Sequence, residues 1–590
     1  MNRQEKDILC TICKEGYINQ RILAETSGYS LGAVNKALNN LIIKGYLDSD
    51  KCITEKAKTM FADTRPESAI ILAAGFGMRM VPINTESPKG LLEVHGQPLI
   101  ERIIKQLYEV DVKKIYIVVG FMKECYEYLI DEYGVELIVN TEYASKNNMH
   151  SLNMAKEYLG NTYIIPCDIW CEHNPFSTNE LYSWYMVSEK LQRESNVKVN
   201  RKSELVIVSE QTMGNEMIGI CYLLAKESLI VKERLEMLCE DLRYDDCFWE
   251  ETLNISGKML VSAKLVSSSE YMEINTYEQL REIDNNSQQL KSHVIILAAN
   301  VLGVKEDEIT NITVLKKGMT NRSFLFHCKE KKYIMRIPGE GADKLINRRE
   351  EAAVYDVIRG REICDQIIYL NPENGYKITE YIENAQVCDA SSTLDVEKCM
   401  DKLRTFHDLK LEVSHEFNLF EQIDFYESLW NNNKSIYRDY KKTKEKIFSL
   451  RNYIEEQKIE KILTHIDANP DNFLFYYDSD GKEKVRLIDW EYAGMQDPHV
   501  DIAMFAIYSL YDKEQLDELI RIYFKGDCSK PVKIKIYCYV AVCGLLWSNW
   551  CEYKRSLGVE FGEYSLRQYR YAKDFYKIVQ TEIMEITENE

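Results

Sequence analysis

The feature that most constrains this chain is a buried apolar run that ends in glycine, Ala69-Ile70-Ile71-Leu72-Ala73-Ala74-Gly75-Phe76-Gly77-Met78-Arg79. An apolar stretch that enters a glycine turn directly reads as an interior strand of a parallel sheet. Glycines just past such a strand let backbone N–H groups close on a polyphosphate. Arg79 adds positive charge to the same loop. Strand and helix patterns then alternate to about Asp284, through IYIVVG at 115–120, VELIVN at 135–140 and TYIIPCD at 162–168. That alternation predicts a doubly wound α/β domain over 68–284.

A chain of 590 residues is too long for one core. Before the α/β segment, residues 1–65 predict short helices and a small β-hairpin. Ile8, Leu9, Ile12 and Cys13 share one helical face. Asn19 opens a second helix. A third carries Val34, Leu38, Leu41 and Ile42, ends at Gly45, and is followed by two strands around a polar turn within YLDSDKCIT. Beyond the polar stretch DNNSQQLKS, residues 293–590 place strands first (ITVLKKG, SFLFHC, KYIMRIP) and long helices after. That order is α+β and predicts a two-lobed, kinase-like domain.

Composition narrows the function classes. The net charge is −20, from 74 basic and 94 acidic residues, which opposes nucleic acid as the main partner. There is no apolar run of membrane-spanning length and no apolar leader at the N-terminus, so a cytoplasmic protein without membrane insertion is expected. The 17 cysteines are scattered and read as reduced thiols. Cys10 and Cys13 lack a second ligand pair at zinc-finger spacing and read as two small residues on one helix face.

Residues 1–65 resemble a MarR-like winged helix. The resemblance makes the third helix the one for the major groove. Its Lys36 and Lys44 are sparse, and the segment holds ten basic against eight acidic residues. A regulatory or packing role is therefore preferred to DNA binding, and removal of 1–65 is expected to leave the chemistry intact.

The glycine loop does not stand alone. Pro88-Lys89 and LLEVHGQPLIE follow it, and a later strand ends in Asp168. This ordered set resembles the nucleoside-triphosphate transferase superfamily. With Asn140-Thr141-Glu142-Tyr143, Asn147-Asn148-Met149-His150-Ser151-Leu152 and Pro166-Cys167-Asp168, it is most similar to bacterial CTP:phosphocholine cytidylyltransferases of the Lic type. The resemblance implies CTP contacts from Leu72, Ala73, Ala74, Gly75 and Gly77, with Asn148 and Ser151 near the cytidine. It implies that Asp168 holds Mg²⁺, helped by the YMEINTYEQL segment. Relatives often carry Glu-x-Asp there; this chain has Glu273-Ile274-Asn275. Asn brings no charge, so Asp168 with Glu273 is the expected metal pair. The chemistry is in-line attack of a phosphate monoester on the α-phosphorus, with Lys89 and Arg79 as fixed cations. The run Cys247-Phe248-Trp249-Glu250 offers an indole and a carboxylate to a trimethylammonium group; Trp249 reads equally as core.

In the third segment, His465-Ile466-Asp467-Ala468-Asn469-Pro470-Asp471-Asn472 is followed by Asp489 in LIDWEYAG. A catalytic Asp, an Asn five residues on and a second Asp on a later turn are the parts of a kinase site. Asp467 can accept the substrate hydroxyl proton, while Asn472 and Asp489 hold Mg²⁺. The set resembles choline and ethanolamine kinases of the aminoglycoside-phosphotransferase-like superfamily. That resemblance implies an ATP loop at Gly318-Met319-Thr320-Asn321 and an Arg336–Glu350 pair. It also implies an adenine-binding hinge at 378–382, including Glu380 and Ile382. Trp547 and Trp550 lie on one helix face. They read either as core or, beside Glu491 and Tyr492, as a cation cage with Glu491 supplying charge. His407-Asp408 reads as structural.

The sequence thus predicts a bifunctional enzyme that phosphorylates choline with ATP and joins phosphocholine to CTP. The alternatives are the same pair of reactions on ethanolamine or another amino alcohol, and a ligand-sensing transcription regulator with enzyme-derived domains.

Overall fold

The computed structural model describes residues 1–209, 211–315, 321–339, 345–430, 434–457, 460–556 and 561–589. These form two compact units, Met1–Ile295 and Ile296–Glu590.

The first unit opens with helices α1 (Arg3–Glu15), α2 (Gln20–Ser27) and α3 (Leu31–Ile43). Each begins where a short polar side chain accepts backbone N–H groups: Asn2, Asn19 and Ser30. The expected hairpin is reduced to a single antiparallel bridge between Leu47 and Ile53. An unanticipated helix, α4 (Glu55–Asp63), buries Ala57 and Phe61 and closes the small core.

The α/β part is one mixed sheet in the order 136–139, 114–119, 68–73, 162–166, 214–223, 184–192, 258–266, 204–207, 197–199. The first four strands are parallel. They are the apolar runs seen in the sequence, and Ile70, Ile71, Ile117 and Ile164 are completely buried. The extension is mainly antiparallel, with one parallel pair between 184–192 and 258–266. The 68–73 strand has 114–119 on one side and 162–166 on the other, so crossovers leave it in both directions. Such a switch point opens a crevice at the strands' carboxyl ends.

The second unit starts with a five-stranded antiparallel sheet, 309–314, 321–328, 331–338, 377–380 and 367–370 in spatial order. A helical lobe follows, containing the 473–477/483–487 hairpin. Lys530–Ser556 runs through its centre. By length and composition this helix passes as a membrane span, yet 83% of its apolar window is buried inside the fold. Glu563–Asn589 packs along it, crossing at Gly544. A Cβ there would lie 2.7 Å from Tyr571 Cβ and 2.8 Å from the Gln568 carbonyl.

Candidate active sites

The crevice at the switch point is a cavity of about 410 Å³. Leu72, Ala74, Gly75, Gly77, Lys89, Asn148, Ser151 and Asp168 all line it, together with Tyr143 and Asp246. Gly77 has φ +61°, a left-handed conformation that favours glycine, and it lies against the Lys89 stem. Ala73 stays buried in its strand, and Arg79 is exposed on the turn after Gly77. The Lys89 ammonium donates to Asp168 Oδ2 and, at 2.5 Å, to Asn275 Oδ1. Asp168 Oδ1 is buried without a hydrogen-bond partner, an oxygen suited to a cation. Burial and the Asp168 charge raise the Glu273 carboxyl above its usual range. Asn275, set aside in favour of Glu273, is thus in direct contact with the Lys89–Asp168 pair.

Asn148 Oδ1 accepts the Trp249 backbone N–H at 2.8 Å, and Ser151 Oγ accepts from Asn140 at 3.0 Å. Trp249 is 1% exposed and packs beside Tyr185. Tyr185 Oη donates to Glu250 at 2.7 Å, while the other Glu250 oxygen is buried and unpartnered. Burial pushes the Glu250 carboxyl up to about 7.

In the second unit the two kinase loops are stitched together. Ile488 N–H donates to the Asn472 carbonyl at 2.9 Å, and the His465 ring lies 3.0 Å from the Ile488 carbonyl. Burial lowers the His465 pKa to about 4, so the ring is neutral. Asn472 Nδ2 donates to the Asp467 carbonyl at 2.8 Å and contacts its carboxylate at 3.3 Å. This leaves the Asn472 amide oxygen on the other side of the same planar group. Burial pushes Asp467 up to about 7, against hydrogen bonds from Tyr508, Asn469 and Asn472. Asp489 is raised by burial and by Glu491.

Two loop residues adopt left-handed backbone, Ile466 at φ +69° and Asp489 at φ +66°. For a β-branched residue this costs about 1–3 kcal/mol. Asp501, which sequence reasoning did not single out, restrains it. Its carboxylate accepts the N–H groups of His465 and Ile466 at 3.0 and 2.7 Å and faces His407 Nε2 at 3.0 Å. His407 therefore buttresses the loop.

One expectation needs correction. Arg336 pairs with Glu351, through contacts of 2.5 and 2.9 Å, and not with Glu350, which is exposed. Helical rotation turns position 351 inward. Burial alone would raise the Glu351 carboxyl, yet the Arg336 guanidinium holds it near 2. Glu491, expected to supply charge to a cation cage, is also engaged by cations in the fold. It accepts from Asn321 at 2.8 Å and pairs with Arg348 at 3.3 Å and Arg336 at 3.8 Å. Asp467 also adjoins the aromatic cluster, reached through Tyr508. The Tyr508 ring lies 5.6 Å from Trp547, which contacts Tyr492 at 5.6 Å and Trp550 at 5.5 Å. Both tryptophans are buried, and Lys554 already sits 5.6 Å from the Trp550 ring.

At the hinge, the Glu380 N–H is spent on the Gln366 carbonyl and its side chain on Lys331; Ile382 lies just beyond the strand. Thr320 lies outside the described residues. No group of three or more His, Cys, Asp or Glu with metal-holding geometry occurs among the described residues. The pairs expected to hold a cation are Asp168 with Glu273, and Asn472 with Asp489.

A nucleotide crevice on a mixed α/β sheet and a two-lobed kinase site define a chain of two fused transferases behind a winged helix. Three family models match in that order: winged helix-turn-helix DNA-binding over 1–48, MobA-like NTP transferase domain over 69–177, and choline/ethanolamine kinase over 312–522. Among individual proteins, the chain is similar to the choline-phosphate cytidylyltransferase of Streptococcus pneumoniae, 44% identical over 117 residues. That match spans 20% of this chain and about half, 51%, of the relative. It is also similar to protein LicA of Haemophilus influenzae, at 27% identity over 42% of this chain and 96% of the relative. The solved choline kinase LicA of Streptococcus pneumoniae is 29% identical, with 48% of this chain and 99% of that chain covered at a TM-score of 0.42.

Proposed function

We propose that the chain is a bifunctional enzyme that makes CDP-choline in two steps, with functional segments 68–284 and 293–590 behind the winged helix at 1–65. The kinase segment moves the γ-phosphoryl group of ATP to the hydroxyl of choline, giving phosphocholine and ADP. The transferase segment joins phosphocholine to the α-phosphorus of CTP and releases pyrophosphate. The observation that carries this reading is the contact chain Asp467–Tyr508–Trp547. It puts a proton acceptor beside indole and phenol faces, the only surfaces besides charge and shape that hold a trimethylammonium group.

In the kinase step, Asp467 takes the hydroxyl proton as oxygen attacks phosphorus. Arg336, fixed by Glu351, faces the nucleotide phosphates. In the transferase step, Lys89 and Arg79 stabilise charge on the phosphate oxygens, while Asn148 and Ser151 orient the cytidine. Asn472 with Asp489, and Asp168 with Glu273, would hold Mg²⁺, which neutralises the nucleotide phosphates when bound. Both reactions draw on intracellular nucleotides and fit a cytoplasmic enzyme. Retention of Asp168, Asp467, Asn472 and Asp489 disfavours a regulator whose catalytic domains serve only as sensors.

The test is purified protein with ATP, CTP, Mg²⁺ and either choline or ethanolamine, with products identified by mass. Choline should yield CDP-choline and outcompete ethanolamine. Turnover of ethanolamine alone would reassign the substrate, and no CTP-dependent product from either would refute the transferase half.

A further inference from the structure

Helix α1 has two working faces. Glu5, Ile8, Leu9 and Ile12 turn into the winged helix's own core. The opposite stripe, Arg3, Lys6, Asp7 and Cys10, would read as solvated, yet it is bonded to the α/β sheet domain. Arg3 donates to the carbonyls of Ser203 at 3.0 Å and Ala263 at 2.5 Å. Lys6 donates to the Leu181 carbonyl at 3.0 Å, and Cys10 Sγ lies 3.7 Å from the Asn179 carbonyl. The Asp7 carboxylate accepts Tyr182 Oη at 2.6 Å and Tyr29 Oη at 2.5 Å. Leu181 belongs to the winged helix's apolar core, and Tyr182 packs against it. The far end of the module is tied as well, since Asn161 donates to the Asp63 carbonyl at 2.9 Å and Tyr222 to the Thr64 carbonyl at 2.6 Å.

The segment that α1 grips, 179–183, feeds directly into the Trp184–Gln192 strand. The second residue of that strand is Tyr185, the donor to Glu250. We infer that the winged helix is a positioning module of the transferase: α1 fixes residues 179–183, and with them the register of Tyr185 against Glu250. Asp7, Arg3 and Tyr182 are then positioning residues for cytidylyl transfer. This replaces the expectation that residues 1–65 are dispensable, and it rests on the transferase reading above.

The test uses the full-length protein and its Asp7→Ala, Asp7→Asn and Tyr182→Phe variants. Transferase and kinase kinetics are measured alongside hydrogen exchange across 177–190. Asp7→Ala should raise KM for phosphocholine about threefold to tenfold while KM for CTP and the kinase rate hold. Exchange at 179–187 should quicken. Asp7→Asn keeps an acceptor oxygen and should recover most of the loss. If Asp7→Ala fails to fold, Tyr182→Phe removes one hydroxyl and should show a smaller change in the same direction. Faster exchange at 1–16 and 179–183 with unchanged transferase kinetics would overturn the inference, as would equal losses in both activities. Should the wild type fail to use phosphocholine, the exchange at Tyr185 still reports on positioning, so the two failures are separable.

Discussion

At the residue scale, the decisive groups are carboxylates whose surroundings set their charge. Glu250 has one oxygen on Tyr185 and the other unpartnered, with its pKa near 7 through burial. A raised pKa means that the negative charge is present above pH 7 and lost below it. If that charge attracts the quaternary ammonium, KM for phosphocholine should climb as pH falls from 8 to 6. Glu250→Gln should have a high KM that is flat over the same range. Initial-rate kinetics at fixed saturating CTP would show this, and a Gln variant that retains the pH slope would remove Glu250 from substrate recognition. Glu351 makes the contrasting case, a buried anion held by Arg336. Glu351→Gln should cost about 3–5 kcal/mol of kinase-unit stability, the scale for breaking a buried pair, and should weaken ATP binding. Glu350→Gln should do neither, as thermal unfolding and ATP titration would report. Sequence alone could not choose between the two glutamates. They differ by one residue on a helix, and only packing decides which points inward.

At the element scale, the sequence was most legible where function sits on short loops after apolar strands. The Leu72–Gly77 loop and the turn at Asp168 end neighbouring parallel strands, so their meeting in one crevice follows from strand order. Asp501 was less legible, because its carboxylate reaches back to His465 and Ile466 from a helix 36 and 35 residues further along the chain. No spacing rule announces that contact. The docking of the polar stripe of α1 was not legible either, since a docked stripe of charges looks like a wet one until its carbonyl partners are known. The crossing of the last two helices depends on Gly544. Gly544→Ala would force apart backbones that leave its Cβ only 2.7–2.8 Å. The cost should be about 1–3 kcal/mol, seen as an earlier kinase-unit transition in calorimetry while the transferase transition stays put.

At the scale of the whole molecule, the two units carry separate constellations, Lys89–Asp168 in one and Asp467–Asn472–Asp489 in the other. Asp467→Ala should therefore abolish phosphocholine formation and leave CTP-dependent turnover of supplied phosphocholine near the wild-type rate. Lys89→Ala should do the reverse, lowering cytidylyl transfer by about a hundredfold or more. Coupled and single-step assays on each variant would reveal this, and loss of both activities in a folded Asp467→Ala protein would mean that the sites are not independent.

The buried helix Lys530–Ser556 has a consequence for synthesis. Until Glu563–Asn589 folds back across Gly544, one apolar face of this helix lacks its cover, although His499–Tyr508 and Leu419–Ser428 already pack on others. An exposed apolar helix face of that kind is a binding surface for chaperones. Slow-codon placement or truncation just before residue 563 would prolong the exposure, and such chains should be captured or degraded even though both sets of active-site residues are already present.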